Sequence, residues 1–267
     1  MSPSIVAQML RSGLYTAIIG RSVRFYQSTG STMDDAAEWA CAGAEEGAVV
    51  VAETQTASRG RLGRRWISDE GNLYFSVLFR PEIDALPLLS PLAGVAVVRS
   101  IRQVAGLYPS IKWPNDITIG GLKVAGILAE SAMSGSLIQQ AVVGIGVNVA
   151  LDVSTDAEIA ATATSLNELA EPQVDRSELL RRILQHMDAL YLDVRRGRSP
   201  IPEWRRWLDT LGQRVTVTHH GTSNVGLAED IDDLGNLMLR TDEGELLTLT
   251  AGDITLRAAQ GEHVPNA

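Results

Sequence analysis

The sequence has 267 residues, of which 45% are hydrophobic and 21% are charged, and its formal net charge is -9. This length allows one large domain and a small second one, with an ordinary globular composition. The acidic balance argues against general nucleic-acid binding, because a phosphate backbone would be repelled over most of the surface. The single cysteine, Cys41, excludes an internal disulfide, and we expect it to be a small core or half-buried residue of a helix.

The sequence shows neither a secretory signal pattern nor an apolar run as long as a membrane span. We therefore expect a cytoplasmic protein without a membrane partner. His186, His219 and His220 lack the spacing to cysteine or carboxylate partners that a structural zinc site needs. We expect no metal cage built by the protein itself.

Helical and strand-like patterns alternate through the first 211 residues. In chain order the predicted elements are a helix near 5–10, a strand at 23–26, a helix at 34–42, strands at 48–52 and 73–79, a helix at 90–106, a hairpin turning at 120–121, a strand at 137–149, and helices at 177–195 and 201–211. From residue 212 five short strands follow, near 215–217, 225–228, 237–239, 246–249 and 254–256, which predict a small SH3-like barrel. We therefore expect two domains, 1–211 and 212–267.

A basic, glycine-broken loop, residues 53–66, lies between two predicted strands. It places four arginines within seven residues and ends in Trp66; the arginines are Arg59, Arg61, Arg64 and Arg65. Arginine presents a planar set of donors that matches phosphate and carboxylate oxygens, and glycine allows close backbone approach. On an acidic protein this favours a local anion site that orders when the anion binds. The alternative is a solvated charge run or a nonspecific nucleic-acid patch.

Hydroxyl groups of Ser31 and Thr32 precede the helix predicted at 34–42. Capping of the helix is the favoured interpretation, and binding of a ligand's polar group at the helix start is the alternative. Lys123 lies two residues past the predicted hairpin turn, where it either protects a sheet edge or serves a site. Gly144 and Gly146 do not complete a dinucleotide fingerprint, and glycine within a strand favours close approach of a ligand or backbone.

Four motifs together resemble the biotin protein ligase family. They are the arginine segment 55–66, Lys-Trp-Pro-Asn-Asp at 112–116, Lys-Val-Ala-Gly-Ile-Leu at 123–128 and Gly-Ile-Gly-Val-Asn at 144–148. The resemblance implies an α+β fold, with a mixed or antiparallel sheet flanked by helices as in a class II synthetase-like catalytic domain, followed by the SH3-like barrel. It also implies the ligase-only form, without the N-terminal DNA-binding domain of repressor-type members.

The resemblance implies a two-step reaction. Biotin would attack the α-phosphate of ATP, with Mg²⁺ present, to give biotinyl-5'-AMP and pyrophosphate. A lysine of a biotin carboxyl carrier protein, such as that of acetyl-CoA carboxylase, would then take the biotin. ATP, biotin and Mg²⁺ are thus the implied small molecules, the carrier protein is the implied partner, and a homodimer is left open.

By position in the motifs, the resemblance also implies residue roles. The implied catalytic residues are Lys123, Arg59, Arg61 and Asp116. The implied biotin-binding residues are Ser31, Thr32, Met33, Gln55, Arg59, Gly60, Arg61 and Lys123. The implied residues for ATP or the adenylate are Arg59, Arg61, Trp66 (packed on adenine), Lys112, Asn115, Lys123, Asn148 and Arg257. Asp116 would either orient Lys123 or help deprotonate the incoming lysine.

Two positions depart from the family pattern, since Ser58 stands where glycine is usual and Met33 where asparagine is common. Two other functions compete with biotin ligation. A lipoate- or octanoate-transferring enzyme shares the catalytic architecture, but the arginine loop and the small C-terminal barrel argue against it. A non-catalytic biotin or nucleotide sensor is disfavoured because Arg59, Arg61 and Lys123 are present.

Overall fold

A seven-stranded sheet carries most of the chain in a computed structural model that describes residues 4–134, 137–155, 157–219, 222–250 and 254–258. The helices are α1 (Ile5–Arg11), α2 (Thr32–Cys41), α3 (Leu89–Ala105), α4 (Ala157–Ala160), α5 (Leu166–Leu169), α6 (Arg176–Val194) and α7 (Ile201–Trp207). The strands are β1 (Val23–Thr29), β2 (Val49–Gln55), β3 (Leu73–Phe79), β4 (Ser110–Lys112), β5 (Asp116–Ile119), β6 (Leu122–Ser134), β7 (Leu137–Val147), β8 (Arg214–His219), β9 (Thr222–Ile231), β10 (Leu237–Thr241), β11 (Leu246–Leu249) and β12 (Ile254–Ala258).

The large sheet has the strand order β1-β2-β3-β7-β6-β5-β4. Its β1–β2 pair is parallel and the other pairs are antiparallel, which confirms the predicted mixed sheet flanked by helices. The hairpin predicted at Gly120-Gly121 joins β5 to β6, and both glycines have positive φ, 59° and 81°. That conformation suits a two-residue hairpin turn, which explains why glycine occupies both positions.

Helices cover both faces of this sheet, so the central strand β3 is buried on both sides. All seven residues of β3 are buried, and all but Ser76 are hydrophobic, because both faces of the strand are covered. Phe75 and Phe79 join the main core with α1, α3 and α6, whereas Leu78 joins a smaller cluster under α2. The same alternation places Val49 in the main core and Val50 under α2.

One buried carboxylate attaches the N-terminal segment to this core. Asp188 of α6 is 5% exposed and accepts 2.8 Å hydrogen bonds from the backbone amides of Ala17, Ile18 and Ile19. A segment without regular secondary structure needs such partners for its buried amide groups.

A small antiparallel sheet, β11-β10-β9-β8-β12, follows in the place where the sequence predicted a barrel. It contacts the Lys-Trp-Pro-Asn-Asp motif directly, because the indole of Trp113 donates to the backbone oxygen of Gly235 at 2.9 Å. The amide of Trp113 also donates to the hydroxyl of Thr210, at 2.9 Å. The conformation of the motif is therefore connected to the C-terminal sheet.

Two expectations from the sequence were wrong. Cys41 is exposed, because it is the last residue of α2 and lies outside the face that buries Ala36 and Ala40. The helical segment 83–105, a short 3-10 turn joined to α3, is long and apolar enough to cross a membrane by length and composition. In the structure α3 packs against the sheet and α6, and 56% of the most apolar window is buried, as in the core helix of a globular protein.

Replacement of Asp188 by alanine should destabilise the protein by about 3 kcal/mol, because three amides would lose a charged acceptor. Asp188→Asn should cost less, since the oxygen that receives two of the three bonds can be retained. The free energy of unfolding in urea measures both effects. Asp233→Ala, at an exposed position, is the control and should change stability by less than about 0.5 kcal/mol. Equal stability of the Asp188→Ala and Asp233→Ala proteins would contradict the assigned role.

Candidate functional site

A cavity of about 250 Å³ lies between the start of α2, the arginine loop and the β5–β6 hairpin. It brings together twelve of the fourteen residues that the sequence analysis selected: Ser31, Thr32, Met33, Gln55, Arg59, Gly60, Arg61, Trp66, Lys112, Asn115, Asp116 and Lys123. Residues up to 92 positions apart in sequence therefore share one site, as 31 and 123 do. The motifs were predicted separately, and the sheet topology makes them neighbours.

Buried hydroxyls and an amide form one end of the cavity. The carboxamide oxygen of Gln55 accepts from the amide of Thr32 at 2.8 Å and from its hydroxyl at 3.1 Å. The hydroxyl of Thr32 also lies 2.8 Å from that of Ser76. Ser31 occupies the N-cap position of α2, yet its side chain makes no capping hydrogen bond and lines the cavity. The capping interpretation was therefore wrong, and these groups face the site instead.

Glycines of two neighbouring strands form the floor of the cavity. A Cβ atom on Gly144 would lie 2.6 Å from the sulfur of Met33, and one on Gly146 would lie 2.7 Å from the indole of Trp66. A Cβ on Gly126 would meet the same indole at 2.8 Å. The sequence analysis selected Gly144 and Gly146 for close approach but missed Gly126, which carried the same signal of a glycine within a strand.

Trp66 therefore packs on the backbone of β6 and β7. Its indole nitrogen is buried and has no hydrogen-bond partner among the described residues. The predicted contact of this ring with adenine stays a prediction.

Lys123 and Asp116 form an ion pair, with the ammonium nitrogen 2.6 Å from a carboxylate oxygen. The same nitrogen lies 5.1 Å from the centre of the Trp66 ring. The β5–β6 hairpin produces this arrangement, because it folds the two residues toward each other across a short turn. Of the two roles expected for Asp116, this geometry supports orientation of Lys123.

The arginine loop turns back on itself. Arg59 pairs with Arg65 in a short antiparallel bridge, and the amide of Gly60 donates to the backbone oxygen of Arg64 at 2.7 Å. The turn between them includes Leu62, whose φ of 59° is left-handed. Such an exposed leucine in a left-handed conformation is uncommon, and it marks a tight turn that the charge pattern did not indicate.

Two guanidinium groups of the loop are paired within the protein: that of Arg59 with carboxylates, and that of Arg61 with a side-chain amide. Arg59 lies 2.8 Å from both Asp34 and Glu130. Hydrogen bonds with Glu130 and then with Asp34 raise the pKa of the Arg59 guanidinium above its ordinary value. Arg61 donates to the side-chain oxygen of Asn115 at 3.1 Å. Like-charge repulsion in the loop is therefore relieved by residues that sequence analysis did not connect with it.

Two predicted ligand residues are placed differently. Asn148 is 4% exposed and does not line the cavity; its amide donates to the backbone oxygens of Lys123 and Thr164 at 3.3 and 3.2 Å. Asn148 therefore supports the Lys123 backbone, and its direct contact with the adenylate stays a prediction. Arg257 lies on β12, and its side chain lies outside the described part of the structure.

Within the described residues, no group of three or more His, Cys, Asp or Glu side chains could hold a metal ion. The cations of the site are those of Arg59, Arg61, Lys112 and Lys123 along with the neighbouring arginines of the loop. A cavity with several cations, a glycine floor and a polar end suits a ligand that is anionic at one end and uncharged but polar at the other.

Comparison with known proteins identifies the family. The profile of the Biotin/lipoate A/B protein ligase family matches residues 25–148, and that of the Biotin protein ligase C terminal domain matches residues 210–257. The biotin--[acetyl-CoA-carboxylase] ligase of Mycobacterium tuberculosis is 35% identical over 265 residues, which cover 95% of this chain and 96% of that protein. The chain belongs to the biotin protein ligase family.

Other members agree with this assignment. The bifunctional ligase/repressor BirA of Bacillus subtilis is 37% identical over 92% of this chain and 78% of its own length. Among solved structures, the biotin protein ligase of Aquifex aeolicus in complex with biotin and ATP has a TM-score of 0.78 at 29% identity, covering 90% of this chain and all of that one. The family and the fold inferred from the resemblance are thus confirmed.

Substitution of Gly146 by alanine should destabilise the protein by about 1–3 kcal/mol, because the new methyl group would overlap the indole of Trp66. In a Trp66→Ala background the same substitution should cost much less, since the space above residue 146 is open. A double-mutant cycle in urea unfolding measures this coupling. Gly30→Ala, where nothing lies within 4 Å of the added Cβ, is the matched control. Full additivity of the two changes would show that Trp66 does not pack on this floor.

Proposed function

We propose that this chain activates biotin with MgATP to biotinyl-5'-AMP, releases pyrophosphate, and transfers biotin to a lysine of a biotin carboxyl carrier protein. The observation that carries the proposal is the cavity that joins Thr32 and Gln55 at one end to Lys123, Asp116 and the arginine loop at the other. Membership in the family, with relatives named biotin--[acetyl-CoA-carboxylase] ligases, supports the same substrate and partner.

In the first step the carboxylate of biotin attacks the α-phosphate, so two anions must approach each other. The protein's contribution is positive charge placed where negative charge accumulates. Lys123 is suited to contact both the acyl and the phosphate oxygens, because Asp116 holds its ammonium group at the cavity wall. Arg61, placed against Asn115, is suited to clamp the phosphate. Arg59 would exchange its partners Asp34 and Glu130 for the ligand's oxygens.

The polar end of the cavity suits the ureido group of biotin. Thr32 and Ser31 provide buried hydroxyls, and Gln55 provides a second amide proton beyond the one it gives to Ser68. Met33 and Trp66, which pack on the glycine floor and line the cavity, give the valerate chain apolar side chains to lie against. Met33 presents a thioether at this end, which favours apolar contact over hydrogen bonding.

In the second step the neutral amine of the carrier's lysine attacks the acyl carbon of biotinyl-5'-AMP, forming an amide and releasing AMP. Exclusion of water by the arginine loop would protect the mixed anhydride until the carrier arrives. We propose that residues 1–211 form the catalytic domain and that residues 212–267 form a second domain that supports it. We also propose that the protein acts in the cytoplasm. MgATP enters as the substrate complex.

Biotin should support exchange of labelled pyrophosphate into ATP, whereas lipoate and octanoate should not. Exchange reports adenylate formation alone and so separates the acid specificity from carrier recognition. Exchange only with lipoate or octanoate would move the protein to the related transferases. Binding of biotin without exchange would indicate a sensor.

Lys123→Ala should reduce the rate of adenylate formation by roughly 100-fold or more, the size expected for loss of one group that stabilises transition-state charge. Single-turnover adenylation with saturating biotin and MgATP measures this rate. Arg21→Ala removes an exposed cation away from the cavity and is the control. A normal rate for Lys123→Ala, with an unchanged melting temperature, would remove the proposed role of this residue.

Transfer of biotin to a carrier domain can be distinguished from biotinylation of the enzyme itself. The sequence contains only two lysines, Lys112 and Lys123, so any product on the enzyme itself is confined to these side chains and the N-terminus. Purified chain with biotin, MgATP and an isolated carrier domain should increase the mass of the carrier by one biotinyl group. Adenylate formation without this increase would contradict the transfer step.

A further inference from the structure

A continuous chain of hydrogen bonds connects the polar end of the cavity to the arginine loop. It runs from Thr32 through Gln55 and then through Ser68 and Ser58 to the backbone oxygen of Trp66. The amide of Gln55 donates to the hydroxyl of Ser68 at 3.2 Å, and the hydroxyls of Ser68 and Ser58 lie 2.8 Å apart. The hydroxyl of Ser58 donates to the backbone oxygen of Trp66 at 2.8 Å.

The directions of these hydrogen bonds are mutually consistent. Ser58 gives its proton to Trp66, so the proton between the two serines must come from Ser68, whose oxygen is then available to accept from Gln55. At the other end of Gln55, the carboxamide oxygen accepts twice from Thr32. No group is asked to donate the same proton twice, and bonds aligned in one direction polarise and strengthen one another.

Ser58 is also the point where the loop closes. The amide of Trp66 donates back to the backbone oxygen of Ser58 at 3.3 Å, so residues 58 and 66 are joined by a backbone bond and a side-chain bond. The seven residues between them include all four arginines of the loop. A glycine at position 58 would keep the backbone bond but would remove the side-chain bond and the connection to Ser68.

We propose that Ser58 is a positioning residue that, through Ser68, couples occupancy of the Thr32–Gln55 end to closure of the arginine loop and to the placement of Trp66. The inference rests on the proposed function for its ligand, biotin.

The coupling acts in both directions. A ligand that binds Thr32 and Gln55 fixes the orientation of the Gln55 carboxamide, which favours its bond to Ser68 and thereby the closed loop. A closed loop in turn presets Gln55 for the ligand. Because this stabilises the closed state before and during the reaction alike, its loss should raise KM for biotin with little effect on kcat.

Ser58→Ala should raise KM for biotin in pyrophosphate exchange by roughly ten-fold, the size expected for one partly buried hydrogen bond, and should leave kcat within about two-fold. Ser58→Thr retains a hydroxyl and should restore KM. Thr56→Ala is the matched control. Thr56 is an exposed hydroxyl residue of the same loop, and its side chain donates to the backbone oxygen of Thr29, which is not part of the hydrogen-bond series from Thr32 to Trp66.

Ser68→Ala should give the same increase in KM, and the double variant Ser58→Ala/Ser68→Ala should be no worse than either single variant. Independent, fully additive effects would overturn the coupling, as would a KM for Ser58→Ala equal to that of Thr56→Ala. A purely structural role would lower the melting temperature and the active fraction, but it would not produce a selective change in KM that threonine reverses.

A second readout does not depend on activity. Limited proteolysis with trypsin should cleave after the loop arginines roughly ten times faster in Ser58→Ala than in the parent protein, since cleavage requires the loop to open. Biotin alone should protect the parent loop and should protect that of Ser58→Ala much less. Equal protection of both would overturn the inference. If biotin binds but no acid supports exchange, the proposed catalysis fails while this test still decides the coupling.

Discussion

The site depends on bringing two anions together, and that requirement explains why its cations are held by partners within the protein. Arg59 lies between two carboxylates and Lys123 against a third, so the charges are in position before they are needed by a ligand. Preorganised charge of this kind costs little rearrangement during the reaction. The same pairing resolves the repulsion within a loop that has four arginines in seven residues, on a protein that is otherwise acidic.

Support for these charges comes from elements far from the cavity. The side chain of Asn148 donates to the backbone oxygen of Lys123. Trp113, in the motif that supplies Asp116, donates to the backbone oxygen of Gly235, in the turn between β9 and β10. Gly235 in turn lies close to Trp204 and Pro91, where an added Cβ would come within 3.3 and 3.6 Å. The small sheet therefore contacts both the core and the Lys-Trp-Pro-Asn-Asp motif, which gives a physical reason for its presence beside the large one.

Much of this arrangement could be predicted from local sequence. The strand pattern at 73–79 indicated β3, paired glycines indicated the β5–β6 turn, and arginines with glycines indicated the loop, because each pattern reflects a constraint within a few residues. What could not be predicted were contacts set by the topology. The burial face of α2, which leaves Cys41 exposed, the partners Asp34 and Glu130 of Arg59, and the supporting role of Asn148 all depend on which strands are neighbours.

Ser31 and Thr32 show most clearly what local sequence could not predict. A serine before a helix is more often a cap than a ligand group, and this general preference decided the interpretation of Ser31. In the structure the side chain of Ser31 makes no capping hydrogen bond, and the amide of the next residue, Thr32, donates to Gln55. Gln55 can reach Thr32 because β1 and β2 are parallel neighbours with Thr29 opposite Gln55. That register places the end of one strand beside the start of the next helix. It also connects position 58, beyond the end of β2, with position 32, because Thr32 contacts Gln55 directly and Ser58 contacts the same glutamine through Ser68.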